Sequence, residues 1–246
     1  MNIIYCESIN DVILRSAEIK QSVSKSGSAI IRGLVDPQPL RKAIPKIYDY
    51  IKTQEIKGTT TGDRLSVRRN SAKWSVGAST GAQVGNARLM ITIYNPLQDL
   101  DIFGCQSAFR QMIDVRDAIR NDSKSTKDEN LSEGAFNACR FQIYPEGGGF
   151  MLGHTDYAAE ETALNQKVPL LQLLLFITQR NVDFENGGAY LIHNGQTIDI
   201  ESYAETGDIA IYDGNSFHGV ADIDPHVALN STDPRGRIVG LVTIYK

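Results

Sequence analysis

His154 and Asp156 lie two residues apart at the end of an apolar stretch, Phe150–Asp156. If that stretch is a strand, alternate side chains point to one face, so an imidazole and a carboxylate share one side of the chain. Such a pair offers two adjacent ligands to a metal ion, and a third must come from a different strand. His-x-Asp also arises by chance, and a strand histidine is most often a packed or surface residue. The pair therefore gains meaning only from residues further along the chain.

The chain contains four histidines: His154, His193, His218 and His226. His218 is the best third ligand, because it comes after Gly207-Asp208 and the apolar run Ile209–Tyr212 and opens His-Gly-Val. His193 is succeeded by Asn194-Gly195, which places it at a turn, and His226 comes after Asp224-Pro225 in a polar connection. Two histidines and one carboxylate on one face leave the opposite coordination positions open, the arrangement associated with non-haem Fe(II) oxygenases.

The elements that must position these residues are short strands. From residue 137 onward, apolar segments recur at Phe141–Tyr144, Phe150–Asp156, Leu170–Thr178, Ala189–His193, Ile209–Asp213, His218–Val220 and Ile238–Tyr245. Pro-Glu-Gly-Gly-Gly, Glu-Asn-Gly-Gly, His-Asn-Gly-Gln and Asp-Pro-Arg-Gly separate them, all turn-forming. This rhythm predicts a barrel or sandwich such as a jelly roll. The preceding part mixes elements: a helix over Asn10–Ser24, a strand over Ser28–Gly33, and a helix over Leu40–Ile51 that contains Pro45. A strand over Arg88–Tyr94, a helix over Leu100–Ile119 and a polar loop over Asn121–Asn130 come next. Lys57–Asn86 is rich in Gly, Ser and Thr, and its weak periodicity reads as a long loop or lid.

Composition narrows the function classes. With 246 residues, 41% hydrophobic and 22% charged, the chain is an ordinary globular protein of a size for one large domain. A formal net charge of −4 gives no reason to expect nucleic acid or an anionic membrane as partner. The apolar run Leu170–Ile177 is too short to span a bilayer, and the N-terminus lacks a signal-peptide pattern. Cys6, Cys105 and Cys139 are odd in number and widely spaced, so reduced thiols in a cytoplasmic protein are expected.

Taken together, several stretches resemble the Fe(II)/2-oxoglutarate-dependent dioxygenase superfamily, particularly its prolyl-hydroxylase-like and small-molecule hydroxylase branches. They are Phe141-Gln-Ile-Tyr-Pro-Glu-Gly-Gly-Gly-Phe-Met-Leu-Gly-His-Thr-Asp, Phe184-Glu-Asn-Gly-Gly-Ala-Tyr-Leu, Thr206-Gly-Asp-Ile-Ala-Ile-Tyr, Phe217-His-Gly-Val and Arg237-Ile-Val-Gly-Leu-Val-Thr-Ile-Tyr. Each is weak alone, their order is specific, and they span somewhat under half the chain. Ser28-Ala-Ile-Ile-Arg-Gly-Leu adds lesser support. The resemblance implies an α+β fold, with a double-stranded β-helix (jelly-roll) core and flanking N-terminal helices. It implies one oxygenase domain over 1–246, with a mixed helical part (1–136) and a core barrel (137–246) carrying the metal site. Fe(II), 2-oxoglutarate as cosubstrate and O2 would be required, with His154, Asp156 and His218 as metal ligands.

The family also carries a basic residue on its last barrel strand that pairs with the far carboxylate of 2-oxoglutarate. Arg235 and Arg237 are both candidates. Arg235 lies in a turn, whereas Arg237 opens an apolar strand and can project inward, so Arg237 is preferred. Tyr144 and Gln142 have the parity to share a face and assist the cosubstrate. Gln172, inside an apolar run, needs a polar partner, which is either the cosubstrate or a backbone group. Related halogenases replace the metal carboxylate with Gly or Ala, so Asp156 favours hydroxylation of an unactivated C–H bond, with release of succinate and CO2.

For substrate, Arg68, Arg69 and Trp74 in the Gly/Ser/Thr-rich segment would form a lid contact, and Tyr157 would lie beside the metal aspartate. A small polar molecule, an amino acid or related metabolite, is the expected partner. A protein-residue (prolyl-type) hydroxylase is the rival within the class. A cupin-like metal isomerase or non-oxidative binding barrel is the rival outside it.

Overall fold

The computed structural model describes residues 1–54, 66–78, 87–120, 125–156 and 171–245. Tyr157 and much of the Lys57–Asn86 segment lie outside the described residues.

The N-terminal part opens with strand β1 (Asn2–Tyr5) and helices α1 (Ile9–Leu14) and α2 (Ser16–Ser26). The periodicity predicted one helix here. The chain instead breaks at Arg15, whose ψ of 8° ends the first piece. α1 is started by a capping box in which Ser8 and Asp11 satisfy each other's backbone N–H groups. Strand β2 (Ser28–Arg32) comes next, then α3 (Pro37–Thr53), capped by Asp36. α3 runs through Pro45 without interruption, because burial of Leu40, Ala43, Ile47 and Ile51 outweighs the lost hydrogen bond.

Strand β3 (Ser71–Ala78) occupies part of the segment expected to be a loop, and pairs with β4 (Ala87–Tyr94) over eight residues. α4 (Gln106–Arg120) begins six residues later than its apolar pattern predicted. The Asp101 carboxylate accepts from the N–H groups of Gly104, Cys105 and Gln106, holding that stretch as a turn ahead of the helix.

The remaining strands are β5 (Phe136–Pro145), β6 (Gly149–His154), β7 (Leu171–Phe176), β8 (Gly188–His193), β9 (Gln196–Asp199), β10 (Ile209–Asp213), β11 (Phe217–Ile223) and β12 (Gly236–Tyr245). Hydrogen bonding joins them in the order β1-β2-β10-β7-β12-β5-β4-β6-β11-β8-β9, with β3 beside β4. The four N-terminal strands are thus woven into the same sheet as the C-terminal ones, and the part expected to mix helices and strands supplies a third of its strands. The architecture is the expected α+β jelly roll with helices on its outside.

Period-two alternation explains the layering. Leu173, Leu175, Ile209, Ile211, Ile143 and Ile238 face one way and pack with Leu40, Ile47, Phe109 and Met112 of the helices. Leu174, Phe176, Ala210, Tyr212, Tyr144 and Val239 face the other way and line the barrel interior. Both faces are buried, which is why these strands read as continuous apolar runs rather than clean alternations. Among the described residues, no helix is long and apolar enough to cross a membrane.

Candidate metal and cosubstrate site

β6 and β11 pair antiparallel, and His154 and His218 are direct cross-strand partners in that register. This brings together two imidazoles that are 64 positions apart in sequence, with ring centroids 4.5 Å apart. Just beyond the end of β6, the Asp156 N–H donates to the carbonyl of Gly214 at 2.9 Å, which pins the carboxylate beside them. The Asp156 oxygens lie 3.6 Å from His154 Nε2 and 3.3 Å from His218 Nε2. The three ligand atoms fall within 4.8 Å of one another.

Each ring is oriented by its other nitrogen. His154 Nδ1 lies 2.9 Å from the carbonyl of Leu152, and His218 Nδ1 lies 2.8 Å from that of Ser216. With Nδ1–H donating to a carbonyl, the lone pair of Nε2 points at the shared centre, the usual arrangement around a metal-binding histidine. Burial pushes the Asp156 carboxyl up, but the two imidazoles beside it more than reverse this and leave it well below the ordinary carboxylate range. It is therefore an anion across the ordinary pH range. Tyr212 packs edge-on against His218 at 4.9 Å and closes that side.

The triad lines a cavity of about 480 Å³ inside the barrel. Gln142, Tyr144, Gln172 and Arg237 line it too. Arg237 opens β12 opposite Tyr144 and is only 1% exposed, whereas Arg235 points to solvent and pairs with Asp233. Arg237 Nε binds Glu201 Oε2 at 2.8 Å, its guanidinium lies 5.4 Å from the Tyr144 ring, and Nη2 is buried with no partner. Glu201 also accepts from the Ala189 N–H, and its other oxygen is likewise buried without a partner. The Tyr144 hydroxyl donates to Gln142 Oε1 at 3.0 Å, and burial pushes its pKa up to about 12.

The proposed lid residues are placed differently. Arg68 stacks on Phe136, 4.0 Å from the ring centroid, and donates to the Gly134 carbonyl. Arg69 is exposed. Trp74 packs on the outer core, because on β3 it is Lys73 and Ser75 that face the cavity. None of Arg68, Arg69 and Trp74 lines the cavity.

Three cations missing from the sequence-based site do line it: Lys73, Arg88 and Arg140. For Arg140 a signal was present, since it shares strand parity with Gln142 and Tyr144. Glu201 had none, since it lies in a short 3-10 turn (Glu201–Tyr203) with no apolar pattern around it.

No family model matches the sequence, and no curated protein matches it significantly. Solved structures do match in fold. One is a protein assigned to the 2OG-Fe(II) oxygenase family from Caulobacter crescentus, at TM-score 0.59 and 14% identity, covering 99% of this chain and 86% of that one. A prolyl-4-hydroxylase from Pseudomonas putida matches at TM-score 0.54 and 14% identity, covering 94% and 98%. A prolyl hydroxylase from Trichoplax adhaerens, solved with a hypoxia-inducible-factor peptide, matches at TM-score 0.52 and 12% identity, covering 95% and 90%. The fold is thus that of the 2OG-Fe(II) oxygenases.

Proposed function

We propose that this protein is an Fe(II)- and 2-oxoglutarate-dependent oxygenase that hydroxylates an unactivated C–H bond of a small polar substrate. The observation that carries the reading is one cavity holding both the His154–Asp156–His218 triad and an unpartnered buried nitrogen of Arg237. The donor set suits the metal: two imidazoles with Nε2 atoms turned to one centre and one carboxylate leave further positions open. The cosubstrate is suited as well, because a buried guanidinium nitrogen without an acceptor calls for an oxyanion.

His154, Asp156 and His218 would hold Fe(II), and Arg237 would receive the far carboxylate of 2-oxoglutarate. When bound, iron, 2-oxoglutarate and O2 supply the oxidising power, with succinate and CO2 released alongside the hydroxylated product. The chain's own contribution is placement. The Leu152 and Ser216 carbonyls fix the two rings. Glu201 fixes Arg237, and Gln142 Oε1 accepts from the Tyr144 hydroxyl and holds it in the cavity wall. Leu174, Val239 and Leu241 make the intervening wall apolar, which limits water and strengthens the polar contacts. The three unpaired, buried cysteines support a reducing, cytoplasmic setting.

The test is succinate release by protein loaded anaerobically with Fe(II), then given 2-oxoglutarate and air with pooled amino acids and metabolites. Succinate that requires iron and disappears in His154→Ala is expected. Metal binding without 2-oxoglutarate binding or succinate would instead favour a metal isomerase. Turnover stimulated only by peptides would move the assignment to a protein-residue hydroxylase, the activity named for two of the similar structures.

A further inference from the structure

Lys73 on β3, Arg88 on β4 and Arg140 on β5 approach the cavity from three adjacent strands. β3 and β4 pair along their length, and Tyr94 of β4 is the direct partner of Arg140. Lys73 and Arg140 gather about Tyr94 at the end opposite Arg237, whereas Arg88 lies six residues from Tyr94 along β4, beside Met151 of β6. Arg237 sits across from Tyr144 in the β5–β12 ladder, whereas Arg140 is four residues further along β5. At the rise of an extended strand this separates the two ends by roughly 13 Å.

Among the described residues, none of the three cations has a carboxylate as an ion-pair partner. Arg140 bonds to the Thr243 hydroxyl at 3.0 Å and lies 5.8 Å from the Tyr245 ring. Lys73 sits 5.3 Å from the Tyr94 ring, and burial holds its pKa below the ordinary lysine value. Arg88 Nε is buried without any partner. Unpaired charges at a half-buried wall are costly, and native structures seldom leave several together.

The charges of the cavity do not balance. Among the described residues, Glu201 and Asp156 offset two of the four cavity cations. Fe(II) and 2-oxoglutarate are opposite in charge and cancel each other. A surplus of positive charge therefore remains with both bound, and the part of it on Lys73 and Arg140 lies at the end away from Arg237.

We propose that Lys73 and Arg140 form a substrate subsite for an oxyanion, the carboxylate or phosphoryl group of a small molecule. This rests on the oxygenase reading and deepens it by naming the substrate class. The apolar and hydroxyl-bearing wall between the two ends would receive the rest of the molecule, with its C–H bond near the triad.

The experiment is calorimetric titration of the anaerobic Fe(II)·2-oxoglutarate complex with matched probes. These are free amino acids, the corresponding amino-acid amides, and serine and threonine phosphates. An acid or phosphate is expected to bind at least about tenfold more tightly than its uncharged counterpart, the size of one lost charge-assisted hydrogen bond. Arg140→Gln should abolish that preference and leave 2-oxoglutarate affinity within about twofold. Lys73→Met, whose side chain lies against Tyr94, the strand partner of Arg140, repeats the test if Arg140→Gln folds poorly. The acid or phosphate arm that responds identifies which oxyanion is taken.

Equal binding of acids and amides, or no binding of any acid or phosphate at millimolar concentration, overturns the proposal. So does a loss of 2-oxoglutarate affinity in Arg140→Gln, which would make Arg140 a cosubstrate residue. If 2-oxoglutarate itself does not bind the wild-type protein, the oxygenase reading fails. The same titration without it then still tests the anion subsite.

Discussion

The two cationic ends of the cavity differ in how their charge is held. At one end, Arg237 and Glu201 are each 1% exposed and joined at 2.8 Å, with the guanidinium between the rings of Tyr144 and Phe176. At the other end, Lys73 and Arg140 are half-buried and have hydroxyls and aromatic rings around them rather than carboxylates. A fully buried guanidinium needs a permanent counter-charge to exist at all. A half-buried cation lacks one at a smaller cost, and stays available to a ligand that comes and goes. Under the proposed reading the first end would take the cosubstrate, and the second a substrate recognised by its charge.

Breaking the Arg237–Glu201 pair should produce the largest effect. Glu201→Ala leaves a buried guanidinium uncompensated and is expected to cost about 3–5 kcal/mol in stability by urea titration. Arg140→Gln, at the open end, should cost less than about 1 kcal/mol. The double variant Arg237→Met/Glu201→Leu sharpens the contrast. It should recover most of the lost stability, because an apolar pair can replace a buried ion pair, while no longer binding 2-oxoglutarate. Retained 2-oxoglutarate binding in that double variant would show that Arg237 is not the cosubstrate's partner.

This contrast also explains what the sequence could reveal. His154, Asp156 and His218 were legible because metal chemistry restricts residue type, and because a strand fixes parity and order. The choice of Arg237 over Arg235 came from turn against strand, and the structure buries the one and exposes the other. Glu201 was not legible, because its meeting with Arg237 depends on a 3-10 turn packed across the sheet. Arg88 and Lys73 were hidden for a related reason. β3 does alternate, Ala72, Trp74 and Val76 against Ser71, Lys73 and Ser75, but inside a Gly/Ser/Thr-rich segment it reads as a loop, and only its pairing with β4 sets Lys73 inward and Trp74 outward. In the N-terminal part, tertiary packing decides in the same way at Pro45, where the helix continues against its local preference.

A smaller effect is expected at the hydroxyl beside the paired end. Tyr144→Phe removes the bond to Gln142 Oε1 while keeping the ring that packs against Arg237. A net loss of about 1 kcal/mol, a several-fold weaker 2-oxoglutarate affinity by calorimetry, would mark the hydroxyl as an auxiliary contact. A loss as large as that of an Arg237 variant would make Tyr144 the principal cosubstrate anchor instead.

The smallest expected effect has the opposite sign for stability. Burial depresses the Lys73 pKa, so the folded state holds that proton less tightly than the unfolded chain does. By linkage, the charged ammonium opposes folding at neutral pH, and this penalty is relieved as pH rises through the lowered pKa towards the ordinary lysine value. Lys73→Met keeps the aliphatic stem against Tyr94 and removes the charge. It is expected to raise stability slightly, by about 0.5 kcal/mol, and to flatten the alkaline rise seen in the wild type. The same change should weaken binding of the carboxylate or phosphate probes. A side chain whose removal stabilises the fold and impairs ligand binding is retained for the ligand. If Lys73→Met were destabilising and left anion binding intact, Lys73 would belong to the scaffold, and the open end would rest on Arg140 alone.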